Sequence, residues 1–170
     1  GLMALLIGAV VGIIDTIFGK VLLEISDFRT ENFNRLIWFL PIAGLIIIGL
    51  YDKIGKDSIK GMSLVFGTAH GTEENIPKRL VPLIMLTTWI THLFGGSAGR
   101  EGVAVQIGAT ISHIFSKIIN IPNSKRIFIV TGMAAGFAGL FQTPIAAVLF
   151  ALEVLIAGTL EYGALFSAVI

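Results

Sequence analysis

The sequence contains no cysteine, and only 14% of its 170 residues are Asp, Glu, Lys or Arg. The first absence rules out disulfides, thiolate metal centres and cysteine nucleophiles, none of which a bilayer protein needs for stability. The second leaves a formal charge of +1, with Lys and Arg scattered and not gathered into a stripe, which argues against a nucleic-acid partner. Also missing are a nucleophile paired with a base, a phosphate loop and a cluster of metal ligands, so the chain reads as a non-enzyme that calls for no cofactor and no metal. His70 stands near Glu73 and Glu74 in sequence, but one histidine in a polar loop beside solvated acids is a weak metal signal. His92 and His113 lie singly on apolar stretches, where a hydrogen-bonded histidine is commoner than a proton relay.

What is present is apolar. The chain is 55% hydrophobic, with a mean hydropathy of +0.90, well outside the composition of a soluble domain, so its solvent is lipid. Gly1 opens inside an apolar run without a basic n-region, and residues 166–170 are equally apolar, so neither end looks like a natural terminus. The expectation is that residues 1–170 are a piece of a longer membrane protein, cut inside hydrophobic segments.

Residues 1–23 are long enough to span, since a hydrocarbon core of roughly 30 Å needs about 20 helical residues. Asp15 interrupts this run nearer its polar end. Residues 36–50 form a second span, entered from a mixed-charge loop at 24–35 and left at Tyr51-Asp52-Lys53. Pro41 and Gly44 fall inside it, as membrane helices allow where neighbours satisfy the backbone. Between 53 and 79 the pattern breaks, and the short apolar stretch 62–66 cannot span. Residues 80–94 can cross, but run through Gly95-Gly96-Ser97-Ala98-Gly99 into Arg100 and Glu101 with no polar linker, which predicts both at membrane depth. A helix resumes over 103–119, a polar loop follows at 122–126, and 127–140 and 145–157 read as further helices, with Pro144 suited to the first turn of the last.

Lys53, Lys56 and Lys60 fall in one loop and Lys117, Lys125 and Arg126 around another, so the positive-inside rule predicts both to be cytoplasmic. Within the membrane an ionisable side chain costs about 2.5 to 3.5 kcal/mol on insertion scales, and is usually paired or lines an ion path. Glu101 is the clearest such residue. The glycines before it let the backbone turn sharply, and a helix starting beside it presents free N–H groups and a positive dipole end, which attract anions. A carboxylate there can mimic the anion when ionised and vacate the position when protonated, coupling anion passage to protons. The alternative is an ordinary Arg100–Glu101 pair on a surface loop.

The stretch Gly99-Arg100-Glu101-Gly102-Val103-Ala104-Val105-Gln106-Ile107-Gly108 resembles the signature of the CLC family of chloride channels and anion/proton antiporters, written GREGPxxQIG. Residues 132–146, through Leu149-Phe150 and Glu153, are similar to that family's GAAAGxAAxFxxPxxGxLFxxE segment. The resemblance implies an all-α integral membrane fold of two inverted halves, with broken, re-entrant helices meeting at mid-membrane where ions bind helix ends. This chain resembles the first half. It further implies that Glu101 is the gate and proton acceptor, and that the backbone N–H groups of Gly102, Val103 and Ala104 bind the anion.

Val103 stands where most chloride-transporting members have proline, and GREGV resembles the fluoride/proton antiporter branch. The family's GSGIP segment falls near Gly61-Met62-Ser63-Leu64-Val65, with Met62 in place of the anion-contacting serine, again as in the fluoride branch. The alternative for Met62 is an apolar residue opening a short helix. Glu153-Val154 replaces the paired glutamates of the usual chloride/proton antiporters. Glu153 reads as an inner polar contact or a structural hydrogen-bonding group and stays outside the site. The function expected is fluoride export driven by proton entry, the nearest rival a chloride channel or chloride/proton antiporter of the same family. A structural or assembly subunit is the rival from another class.

Gly132, Gly136 and Gly139 form a small-residue stripe that permits close helix approach, within the fold in preference to between subunits. Ile145, Val148, Leu149, Leu152, Leu155 and Ile156 follow helical spacing and predict one broad apolar face, facing lipid or, as the resemblance implies, a second copy in a homodimer. The same resemblance implies a bacterial plasma membrane.

Overall fold

The computed structural model describes residues 1–119, 124–155 and 160–170. The elements are α1 (Leu2–Leu36), a 3-10 turn (Ile37–Phe39), α2 (Leu40–Leu50), α3 (Met62–His70), α4 (Leu80–Leu93), α5 (Arg100–Ile119), α6 (Lys125–Phe141), α7 (Pro144–Glu153) and α8 (Leu165–Val169). A π-helical turn, Tyr51–Gly55, and a 3-10 turn, Lys56–Lys60, carry the chain from α2 to α3. Among the described residues there is no strand, as expected where backbone groups must satisfy one another inside lipid. The run Leu2–His70 contains a window long and apolar enough to cross a membrane, while α4 and α7 are shorter apolar helices.

The largest departure from expectation is at 24–35, where the charged segment is not a loop but the last third of α1. It holds no glycine or proline to stop the helix. Its polar side chains bond the backbone without breaking it: Ser26 Oγ donates to Leu22 O at 2.8 Å, Thr30 Oγ1 to Ser26 O at 2.8 Å and Asn32 Nδ2 to Phe28 O at 3.0 Å. The second apolar segment accordingly starts later than expected, and Pro41 lies in the first turn of α2, where its missing N–H costs little. The short helix α3 answers to the expected non-spanning stretch. Of the polar loop at 122–126, residues 122 and 123 lie outside the described residues, as do Ile156 and Ala157, so the expected end of the last helix is not covered; α7 itself stops at Glu153.

α5 and α6 approach backbone to backbone at their glycines, with the Ser112 side chain also against Gly132. A Cβ on Gly108 would run into the carbonyl of Gly132, one on Gly132 into Gly108 O, and one on Gly136 into Ala104 O. The glycine stripe thus serves close approach within the fold, and the matched pairs make the two helices antiparallel. α1 covers one side of this pair, through Ile7, Val11, Phe18 and Leu22 against Val103, Ile107 and Ile111. Trp89 of α4 stacks on Phe18 with ring centroids 6.1 Å apart and donates to the Phe18 carbonyl at 3.2 Å. α3 covers another side, with Val65 and Ala69 beside Val105 and Ala109. α5 is therefore clamped along its length, and its start is held in place.

The loop between α3 and α4 is tied by three lysines. Lys60 Nζ lies 2.7 Å from Glu73 Oε1, Lys117 Nζ donates to Asn75 Oδ1 at 2.5 Å, and Lys125 Nζ to Glu74 O at 2.7 Å. Both lysine-bearing segments thus meet one loop, as expected if they share a face of the membrane.

Candidate functional site

The chain reaches α5 through a tight glycine turn. Gly95 has φ +83°, a conformation that side chains disfavour, and a Cβ there would stand 3.0 Å from Phe33 and Ile37. The turn feeds directly into Arg100, so Arg100 and Glu101 occupy the first turn of a helix 20 residues long and not a surface loop. The N–H groups of that turn have no intrahelical acceptor and lie at the positive end of the helix dipole. Both side chains are exposed on this chain, and among the described residues no ion pair joins them. A Cβ built on Gly99 would stand 3.2 Å from Glu101 Oε2. The carboxylate is therefore folded back over Gly99, against the helix start.

Gly102 is half-buried and Val103 and Ala104 are buried. The side chain of Val103 is committed to the cluster under α1, and the carbonyl of Ala104 abuts Gly136 of α6. What these residues can offer a ligand is their backbone N–H groups, the role that the family resemblance implies for them.

Met62 opens α3 as its first residue, after Gly61 with φ +52°. Its side chain packs on the cluster that contains Val105 and Ala109. Between the two helix starts lies Gln106, a residue of the motif to which sequence reasoning gave no role. Gln106 Nε2 donates to Gly102 O at 3.0 Å, and a Cβ on Gly61 would stand 3.6 Å from its Oε1. That oxygen is buried and without a partner. The signal available beforehand was the spacing of Gln106 four residues after Gly102, which puts them on one helix face.

The remaining polar residues fall elsewhere. His92 Nδ1 lies 2.9 Å from Thr88 O and His113 Nε2 3.0 Å from Asn75 Oδ1, so both are hydrogen-bonded, as expected. His70 Nδ1 lies 2.9 Å from Phe66 O, and among the described residues no cluster of metal ligands occurs. Glu153 is exposed. The expected single apolar face of the last helix is split: Ile145 and Leu149 are exposed, whereas Leu152 and Leu155 are buried in the core, and Ile156 lies outside the described residues. Asp15 is not near a polar end, because α1 runs on to Leu36, and it is buried.

The first turn of α5 carries the motif glutamate, and the start of α3 lies close to Gln106 of the same motif; comparison with known proteins gives this fold a family. The family model described as voltage gated chloride channel matches residues 43–170, and the chain belongs to that family. A solved structure, described as a CLC-type fluoride/proton antiporter, superposes with a TM-score of 0.96 at 52% identity, covering 99% of this chain and 43% of that one. The "Chloride/fluoride channel protein" of Pseudomonas syringae pv. tomato is 37% identical over 171 residues, covering 100% of this chain and 37% of the relative. The "H(+)/Cl(-) exchange transporter ClcA" of Vibrio cholerae is 26% identical over 165 residues, covering 89% of this chain and 35% of the relative. The chain thus spans less than half the length of the relatives it matches.

Proposed function

We propose that residues 1–170 are the N-terminal half of the transmembrane domain of a fluoride/proton antiporter, which exports fluoride as protons enter. Glu101 is its gate and proton carrier, Met62 stands beside the ion, and the N–H groups of Gly102, Val103 and Ala104 hold the anion. The observation that carries this reading is the Glu101 carboxylate folded back over Gly99 at the unsatisfied start of α5. An ionised carboxylate there occupies the place an anion would take; protonation removes the charge and lets it leave.

Support for fluoride comes from Val103 and Met62 and from the solved relative described as a fluoride/proton antiporter. A chloride channel or chloride/proton antiporter is the second reading, favoured by the relatives described as H(+)/Cl(-) exchange transporters. The transporter is a homodimer in a bacterial plasma membrane, each copy keeping its own pathway, with the exposed Ile145 and Leu149 of α7 at the interface.

The test is fluoride and chloride efflux from liposomes holding the complete protein, with external pH followed, for the parent and Glu101→Gln. Fluoride-selective flux with opposed proton movement, the latter lost in the variant, is expected. Chloride flux without proton movement would make the protein a channel. If the variant left all flux and coupling intact, Glu101 would not be the gate.

A further inference from the structure

α1 buries a single stripe of side chains, Ala4, Ile7, Val11, Asp15, Phe18 and Leu22. Asp15 is 1% exposed, and neither carboxyl oxygen has a hydrogen-bond partner. A buried polar group is normally paired, and an acid inside a spanning helix is by default a functional group. The gate described above makes no use of it.

Its position follows from α6. A Cβ on Gly139 would come within 3.1 Å of Asp15 Oδ2 and 3.5 Å of Gly12 Cα, so the carboxyl is lodged where α1 and α6 cross on two glycines. Gly136, three residues before Gly139, abuts the carbonyl of Ala104. Since α6 runs antiparallel to α5, those three residues advance about 4.5 Å, from the level of Ala104 to the level of Glu101. Asp15 therefore stands at the height of the α5 start. Val11 and Phe18, on either side of it, pack in the cluster that holds Val103. Gly12 and Gly139 also line a cavity of about 470 Å³, which Thr131, Gln142 and Ser167 make partly polar.

The ionisable groups of the helices packed around Asp15 are few. α4 contributes His92, held near Thr88 O. α5 contributes Arg100 and Glu101 at this height, with His113 and Lys117 towards its other end. α6 contributes Lys125 and Arg126, at its far end. On α1 itself the nearest are Lys20 and Glu24, followed by Asp27, Arg29, Glu31 and Arg35. None is ion-paired with Asp15 among the described residues.

We propose that Asp15 is a second proton-binding carboxyl of the transporter, and that its protonation state sets the anion affinity of the α5 start. With its proton bound it is neutral, and the dipole of α5 attracts the anion undiminished. With the proton released it adds a negative charge at the height of the site, in surroundings that screen it poorly, and the anion is held more weakly. Protons then act on the anion twice, by opening Glu101 and by strengthening binding. This rests on the reading of the α5 start as an anion site.

The experiment measures fluoride binding to the complete protein between pH 5.5 and pH 10, in the Glu101→Gln background, which removes the competing gate. Binding is expected to weaken about tenfold with rising pH, within the usual range of coupling between two sites. Adding Asp15→Asn should abolish that dependence and leave the low-pH affinity at every pH, and Asp15→Glu should restore it. Should Asp15→Asn fail to yield folded protein, the smaller Asp15→Ser carries the same expectation. An unchanged pH dependence in Glu101→Gln/Asp15→Asn, or a flat profile in Glu101→Gln alone, overturns the proposal. If Glu101→Gln binds chloride and not fluoride, the fluoride reading fails, and the same comparison made with chloride still decides the role of Asp15.

Discussion

Gln106 donates to the carbonyl of Gly102 at 3.0 Å and turns its other amide atom, buried and unpartnered, towards Gly61. One side chain thus spans the gap between the start of α5 and the start of α3, the two helix ends assigned to the anion.

The charge of that side chain is therefore a sensitive variable. Gln106→Glu places a negative charge between both helix starts and is expected to weaken fluoride binding about tenfold, again in the range of ordinary site coupling. Gln106→Met, which keeps the length without the polar atoms, should bind within a few-fold of the parent. Titration of fluoride into the purified complete protein distinguishes the two. Equal affinities for both variants would mean that Gln106 lies outside the field of the site.

The contact of α5 with α6 tolerates no added atom. Gly108→Ala should cost about 3 kcal/mol or more, as overpacking does at a site that cannot relax, because the new methyl meets the Gly132 backbone. Gly44→Ala, where a Cβ meets nothing within 4 Å, is the control and should change stability by less than about 1 kcal/mol. Thermal midpoints of the purified proteins in one detergent make the comparison. Similar midpoints for both would contradict the close crossing.

Ile145 and Leu149 are 79% and 56% exposed, one helical turn apart on α7. If they meet a second copy, Ile145→Trp/Leu149→Trp should raise the fraction of monomer in detergent, read by light scattering. Fluoride flux per subunit in liposomes should stay within about twofold of the parent, since each copy keeps its own pathway. A variant that remains dimeric would move the interface elsewhere.

Much of the arrangement around Glu101 could be read beforehand, because it is local in the chain. The glycine run, the helix that follows it and the motif residues are consecutive, and so α5 starts at Arg100, three residues ahead of the expected 103. A close approach by α6 was likewise legible as spaced glycines, although its partner α5 was not. The helical state of 24–35 was not legible, because charge content by itself does not end a helix, and the residues that do, glycine and proline, are absent there. The split face of α7 escaped notice because periodicity gives spacing and not direction, and the neighbours of Leu152 and Leu155 are distant in sequence. The lodging of Asp15 and the bridge made by Gln106 both depend on helices meeting across long separations, which a single sequence does not reveal.

The glycine-to-glycine crossing has a mechanical consequence. Where side chains interlock, one helix can slide over another by changing rotamers, but Gly108, Gly132 and Gly136 set backbone on backbone, and any shift along the axis brings a carbonyl against a peptide plane. α5 and α6 are in effect one stiff beam with the proposed ion site at its tip. Access at that tip is then altered most easily by the swing of a single carboxylate, with the beam left still.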